Sequence, residues 1–562
     1  MVVPRDGQVL QRNKKRQLAL PCESRHSSQF KALRQFLRHK YMDPIELKLF
    51  ASRSSAVCDE MGLVLRRAAF SPNIKDRLDF SCALFDANGR LFAQAAHIPV
   101  HLGSMAYAMG ALVGRRQWQP GDVLVVNDPF LGGTHLPDVT LVSPVFLAGE
   151  AGAVAFVANR AHHADIGCDT PGSMPVSTSL EQEGRIIPPT LLLRDGKLQA
   201  DALALLGING QLGGDFAAQH GANVVGVARL QRLMSTMTLP HFHNAVAALN
   251  EYAARISRNA IAEISPGNFE FSDLLDDDGI QTDSIPLQVR LEIGNGGIKM
   301  DFSGSADQVP GNMNCPESVV AAAAYYCIRC LLPDHAPVCA GLFDPVTIVT
   351  RTGSIVNAQR PAAVAAGNVE TSMRLVDLVF GALAQALPGR IAAASQGTMN
   401  NVAMGNSGTA GEKRWDYYET IAGGTGGGPR YAGLNGVQSH MTNTLNTPVE
   451  SLEMHYPLRV LQYALRDGSG GGGGHPGGNG VVREYEFLGQ AQCSLLSERR
   501  RHAPWGLQGG ACGLPGQNWL NGEPIAGKCS LQVKAGDRLL VHTPGGGGFG
   551  RAGADDVGSQ TL

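Results

Sequence analysis

The hydrophobic pattern starts just after residue 42. Asp43-Pro44-Ile45-Glu46 joins a carboxylate at the N-cap, a proline at the first helical position and a glutamate three residues after the cap. A helix from there to about Ala69 is predicted. The next apolar runs alternate. SCALFDANGRLFAQA (81–95) reads as a hairpin around Asn88-Gly89, and QVRLEIGNGGIKMDFSG (288–304) as a second one turning at Gly294-Asn295-Gly296-Gly297. GDVLVVND (121–128), DVTLVSPVF (138–146) and AVAFVANR (153–160) are strand candidates, and 317–332 and 374–387 carry helical spacing. Helices interleaved with hairpins predict an α+β (mixed α/β) fold, with mixed sheets in one large interwoven body. The acidic run SDLLDDDG suggests a sub-boundary near 265–285.

Glycine is in excess, at 69 of 562 residues, about 12% against roughly 7% in an average protein. There is no G-X-Y period, and 44% apolar residues are ample for a core. The glycines concentrate at 423–428, 468–480 and 545–548, where they read as loop architecture around a site. Net charge is -2, but residues 1–41 hold ten Lys/Arg and two Asp/Glu, so the remaining chain carries -10. That balance argues against a nucleic-acid binder held by bulk charge. No 18-residue window is apolar and uncharged, and no apolar run follows the basic N-terminus, so neither a membrane span nor a secretory signal is expected. The expected location is cytoplasmic. The 1–41 stretch reads as a basic extension, disordered or arising from a mis-set start, with an Arg-rich presequence as the competing reading; 551–562 reads as a tail. Eleven cysteines show no regular framework. The lone C-x-x-C, Cys327 and Cys330, has no second pair and reads as two buried helical thiols.

The densest chemistry lies between Asn127 and Asp165. Asp128 ends a predicted strand, His135 and Asp138 lie in the loop PFLGGTHLPD, and His162, His163 and Asp165 follow in RAHHADIG. Strand ends gather such loops on one sheet edge, and imidazole with carboxylate suits Zn, Mn or Fe(II). The competing reading is polar residues that cap strands and turns. His97 and His101 are four apart, but Pro99 between them argues against a shared helical face. His241 and His243 would share a face on a strand, with no carboxylate cluster nearby. A P-loop and a nucleophile elbow are both missing, and the G-x-G-x-x-G at 468–473 lies in a glycine run with no strand before it. Polar runs at 365–374, 395–401, 417–428 and 439–450 suit recognition of a small polar molecule, with Glu370, Asn400, Glu419 and Asn443 as unranked candidates.

The segments NIKDRLDFSCALFD, NDPFLGGTHLPDVTLVSPVF, RAHHADIG, DFSGSADQVPGNMN, AAGNVETS, SQGTMNN, YYETIAGG, SHMTNTLNTPVE and TPGGGGFG together resemble the hydantoinase B/5-oxoprolinase family, collinear from about Met42 to Gly550. The resemblance implies a B-type subunit of an ATP-dependent cyclic-amide hydrolase acting on 5-oxoproline, a hydantoin or a related lactam, with a place in glutathione metabolism. A hydantoinase A-type partner would bind ATP and phosphorylate the substrate, giving a hetero-oligomer. A divalent metal would be held at His135, Asp138 and His162 or His163. Asp76, where relatives carry Glu, would complete the shell. Asp165 or the nonligating histidine, His163, would move the proton. The same resemblance admits a subunit of an ATP-dependent ketone carboxylase, or a noncatalytic assembly subunit.

Overall fold

A computed structural model describes residues 42–95, 97–114, 116–209, 211–408 and 414–552. The basic 1–41 stretch and all but the first two residues of the expected tail lie outside the described residues. Asp43 caps the first helix as predicted: its Oδ1 accepts from the Ile45 and Glu46 amides at 2.9 and 3.3 Å. The helix, α1, runs Pro44–Ala68. The first hairpin follows as β1 (Phe80–Asp86) and β2 (Leu91–Gln94), with Gly89 at φ +77° in its turn. Pro99 opens α2 (Pro99–Val113). Next come β3 (Val123–Val126), β4 (Asp138–Val145), β5 (Ala155–His162), β6 (Thr190–Arg194) and β7 (Lys197–Leu198). These strands form one antiparallel sheet of order β2-β1-β5-β4-β3-β6-β7.

Period-two alternation assigns that sheet two covers. Ala83, Phe85, Val142, Phe156 and Ala158 meet Leu102, Met105 and Met109 of α2 in one buried cluster. On the other face, Cys82, Leu84 and Val157 meet α1 and α3 (Gly214–Met234). α1 and α3 cross closely, since a Cβ on Gly226 would lie 2.4 Å from Met61 Sδ. α4 (Leu239–Ala262) follows with Pro240 in its first turn, so His241 and His243 stand on a helix, where His241 pairs with Glu46 at 2.9 Å.

The second sheet is β8 (Gly267–Asp277), β9 (Asp283–Gly294), β10 (Gly297–Asp301) and β11 (Val346–Val349). It is of mixed direction: β10 and β11 are parallel, the rest antiparallel. α5 (Glu317–Leu331) packs on α2, with Gly103 so near Ala322 that a Cβ would lie 2.5 Å from its Cα. α6 (Ser372–Ala386) packs on α5 and on β8. The 265–285 stretch is thus mostly strand, and one buried cluster runs from Phe50 to Leu496 across it. On α5, Cys327 is buried whereas Cys330 is exposed, which corrects the expectation of two buried thiols. Two more antiparallel sheets, of four and five strands, enclose a further core of Val402, Met404, Tyr417, Leu458, Tyr485 and Val541. One holds β12 (Asn401–Asn406), β13 (Trp415–Thr420), a strand at Ala491–Leu496 and one at Lys528–Val533; the other starts from Leu458–Arg466.

Apart from a turn at Gly468, the glycine clusters do not serve as turns. Extended glycine segments lie side by side and bond backbone to backbone: Gly427 N donates to Gly547 O at 2.8 Å, Gly546 N to Gly478 O at 2.9 Å and Gly478 N to Thr425 O at 2.9 Å. A Cβ at Gly426 would lie 1.8 Å from Ala393 O, and one at Gly546 2.0 Å from Thr425 O. No other residue fits such contacts. The G-x-G-x-x-G match at 468–473 does follow a strand, Leu458–Arg466, contrary to the expectation from sequence, but it opens no helix.

Candidate metal centre

β4 begins at Asp138 and β5 ends at His162, and the antiparallel register places these two residues opposite each other. Their side chains share the α2 face of the sheet. His135 arrives from the loop before β4. Asn127 shapes that loop by donating Nδ2 to Leu136 O at 2.8 Å and accepting the Ile187 amide at 2.7 Å. Gly133 lies so close to the Asn127 carbonyl that a Cβ would sit 2.2 Å from its oxygen. Asp128 caps the following turn through the Phe130 amide and pairs with Arg360. Asn127 and Asp128 therefore build the loop rather than the centre.

Ligand atoms of His135, Asp138 and His162, all buried, lie within 4.8 Å of one another. Asp138 Oδ1 is 3.1 Å from His135 Nε2 and 3.3 Å from His162 Nδ1. Thr134 Oγ1 donates to Asp138 Oδ2 at 2.6 Å, and His101 Nε2 lies 3.2 Å from the same oxygen. Both ring nitrogens of His135, Nε2 of His162 and Oδ1 of Asp138 are buried with no hydrogen-bond partner. Buried polar atoms are normally satisfied, so four such atoms in one place fit a cation held between two imidazoles and a carboxylate. Burial pushes the Asp138 carboxyl up, but His101 and His135 outweigh it and hold it well below the usual range. Burial pulls His162 below its ordinary value despite Asp138. His135 is also pulled down by burial, yet Asp138 raises it overall.

The surroundings hold these rings in place. His162 stacks on Tyr418 of β13, centroids 4.8 Å apart and planes 9° apart. Tyr418 donates its hydroxyl to Asn401 Oδ1 at 2.7 Å and carries the Arg77 guanidinium over its ring. Buried Arg160 ties β4, α2 and the loop together through Thr140, Ser104 and Gly132 O. A cavity of ≈ 20 Å³ borders the centre, lined by Asp79, Val100, His101, Asn368, Met399 and Met441 among others. That is room for about one water or ion.

The other expected residues lie elsewhere. His163 points to the opposite face of the sheet, 2.9 Å from Gln219 Oε1 of α3 and against Phe216. Asp165 is exposed and pairs with Arg414 at 2.7 Å. Asp76 ends the short helix Pro72–Lys75 and lines a separate surface cavity of ≈ 710 Å³ with Phe70, Trp415 and Tyr456. The carboxylate that faces the centre is Asp79, 3.9 Å from His101 and 3.8 Å from Arg77. The sequence does not single out Asp79; Asn368 and Tyr418 fall within the polar runs 365–374 and 417–428 without being named candidates, and His101 is set aside there. Its signal was Pro99, which starts a helix just before it. Glu370 and Asn400 are buried behind the cavity, Glu419 pairs with Arg483 at 3.4 Å, and Asn443 is exposed.

The family model for hydantoinase B/oxoprolinase matches residues 43–552. An uncharacterized protein of Methanocaldococcus jannaschii is 38% identical over 91% of each chain. Arabidopsis thaliana 5-oxoprolinase 1 is 38% identical over 92% of this chain and 42% of its own length. The chain spans about two fifths of the curated 5-oxoprolinases it matches. The crystal structure of an ATP-dependent caprolactamase from Pseudomonas jessenii superposes with a TM-score of 0.82 at 26% identity, covering 91% of both chains. With the cluster at the head of β4 and a family match across nearly the whole described fold, the chain belongs to the hydantoinase B/oxoprolinase family.

Proposed function

We propose that this chain is the B-type component of an ATP-dependent cyclic-amide hydrolase, acting on 5-oxoproline, a hydantoin or a related lactam. The observation that carries the reading is the buried His135–Asp138–His162 cluster with its unpartnered ligand atoms, in a fold shared with an ATP-dependent caprolactamase. An amide carbonyl is a poor electrophile. The sequence offers no phosphate loop, and the 5-oxoprolinases are more than twice as long as the stretch they share with this chain. Both points support activation of the substrate by an A-type component that uses ATP and lies outside the shared stretch.

His135, Asp138 and His162 would hold a divalent ion, which supplies Lewis acidity when bound. The rest is the work of side chains. Asp138 anchors His101 and Thr134, so its carboxylate is fixed before substrate enters. Tyr418 fixes the plane of His162. Ile98, Val100, Val369, Met399 and Met441 exclude bulk water from the cavity. His101, on the cavity wall between Asp79 and Asp138, is placed to hold a proton at Nε2. No helix among the described residues is long and apolar enough to cross a membrane.

The test is the purified complex with its partner, ATP and a lactam panel. ATP-dependent ring opening that disappears in His135→Ala and Asp138→Ala is expected. Bicarbonate-dependent loss of a ketone without lactam turnover would overturn the reading in favour of a carboxylase. Partner-dependent turnover unchanged in both variants would overturn the role given to the cluster.

A further inference from the structure

The amide oxygen of Asn368 is buried and has no hydrogen-bond donor. Asn368 lies in a π-helical turn, Gly367–Thr371, that leads into α6, and it lines the cavity beside His101, Asp138 and His162. Its Nδ2 is 3.4 Å from Asp138 Oδ2. A carboxylate only accepts, so the amide nitrogen must be the atom that faces Asp138, and this fixes which way the group is turned. Oδ1 is then the atom left over. The fold goes out of its way to hold it there. Gly367 packs so tightly that a Cβ would lie 1.8 Å from Asn314 O, and Asn368 O accepts from Ser372 Oγ at 2.6 Å. π-turns of this kind recur at functional positions, and native folds leave few buried acceptors unpaired. The nearby hydroxyls are already engaged: Tyr418 with Asn401, Thr420 with Arg77 and Thr444, and Thr442 with Thr444. Among the described cavity residues outside the His135–Asp138–His162 cluster, Asn368 offers the neutral side-chain acceptor without a donor.

A ring of five to seven atoms forces its amide into the cis form, so the N–H points to the same side as the carbonyl oxygen. In an open-chain trans amide it points away. As it stands the cavity has room for about one water, so a lactam reaches Asn368 only once the lining side chains move apart; a carbonyl then directed at the cluster brings the lactam N–H next to an acceptor that touches Asp138. We infer that Asn368 is a specificity-determining residue whose Oδ1 accepts the N–H of the cyclic amide, so that the site selects secondary lactams over N-alkylated ones. This rests on the hydrolase reading above. Asn368 is not a metal ligand in this account, and its nitrogen and oxygen have separate duties: the first steadies Asp138, the second reads substrate.

The test uses the full chain loaded with Mn²⁺. Ligand-observed NMR titration compares 2-pyrrolidinone with N-methyl-2-pyrrolidinone, and 5-oxoproline with its N-methyl derivative. The wild type is expected to bind the N–H members about 10- to 100-fold more tightly, the range for losing a hydrogen bond to a buried acceptor. In Asn368→Ala and Asn368→Leu, compared at saturating Mn²⁺ because Asp138 loses its Nδ2 contact, that ratio should fall to within about threefold. A wild type that does not discriminate overturns the inference, even if neither variant folds. So do variants that still discriminate. Turnover by the complex with its partner and ATP separates the two levels. A complex that hydrolyses both members of each pair equally sinks the role of Asn368 and leaves the hydrolase standing. One that hydrolyses no lactam sinks both.

Discussion

Replacing Glu183 by Gln is expected to stabilise the protein at alkaline pH and to leave its stability near pH 4 unchanged. Glu183 closes a short turn, Leu180–Glu183, and is completely buried. Oε1 accepts from Ser177 Oγ at 2.8 Å and from the Val364 and Ala365 amides at 2.9 Å each, while Oε2 has no partner. Burial outweighs these hydrogen bonds and pushes the carboxyl from its ordinary 4.5 up to about 7. The folded protein thus holds this proton more tightly than the unfolded chain does. Its contribution is fully present below about 4.5, falls as pH rises through about 7, and ends as a penalty of about 3 kcal/mol. Gln keeps an acceptor at Oε1 and places an amide where Oε2 stood. Those hydrogen bonds are already contained in the net shift, and Gln does not titrate, so with no difference at pH 4 the net gain at pH 8 is about 3 kcal/mol. Thermal unfolding of both proteins from pH 4 to 9, with chelator present, reads this directly. The difference in Tm should be near zero at pH 4, open between about 4.5 and 7, and level off above at a few degrees. A difference that does not vary with pH, or a less stable variant at pH 8, would refute the buried-carboxylate account.

Four further outcomes are expected. Asp138→Asn and His162→Ala should each lose bound metal, measured by elemental analysis after dialysis, together with lactam turnover; full metal occupancy in either would remove that residue from the ligand set. Metal affinity should weaken from pH 8 to pH 6, because Asp138 holds the His135 ring protonated above its ordinary pH range and the ion must displace that proton; calorimetry with Mn²⁺ that finds no pH dependence and no proton release contradicts this. Tyr418→Phe should keep metal affinity within about threefold and Tyr418→Leu should lose about tenfold or more, since the stack and not the hydroxyl positions His162; equal losses in both would place the effect in the Asn401 hydrogen bond. Gly546→Ala should destabilise by about 3 kcal/mol or more, while Gly152→Ala, with nothing within 4 Å, should stay within about 0.5 kcal/mol; denaturant melts that rank the two equally would refute the glycine packing.

Local signals carried the elements well. Asp43 with Pro44 marks α1, Asn88-Gly89 the first hairpin, and Asn295 at φ +51° the second. What one residue type and its neighbours decide could be read directly. The convergence of the candidate cluster was legible in part for the same reason: His135 and Asp138 share one turn, and His162 ends the strand that pairs with Asp138. The choice between His162 and His163 depends on which strand face meets α2, and that is fixed only when the sheet is covered on both sides. Asp76 and Asp79 differ by three residues. The short helix Pro72–Lys75 turns the first toward Trp415 and Tyr456 and leaves the second facing His101. Tyr418 and Asn368 are more than 200 residues from Asp138 and reach it only through long-range packing, which no spacing along the chain reports.

The glycine clusters show where a compositional reading stops. An excess of glycine is compatible with flexible turns, with phosphate loops and with close backbone packing, and composition alone does not separate them. The glycines of the packed bundle mostly avoid the left-handed region, so conformational freedom is not what they supply. They supply room. At Gly424 a Cβ would lie 1.9 Å from Gly478 O, and at Gly548 2.2 Å from Gly472 O. Extended chains at that distance satisfy each other's amides without side chains, and the result is rigid where a glycine loop would be mobile. That rigidity reaches the centre. Gln396 N donates to Gly424 O at 2.8 Å and Ala393 N to Gly427 O at 2.9 Å, which fixes the segment that ends in Met399 on the cavity wall. Glycine here acts on the candidate metal centre at one remove, by holding in place the strand-like segments from which its apolar lining projects.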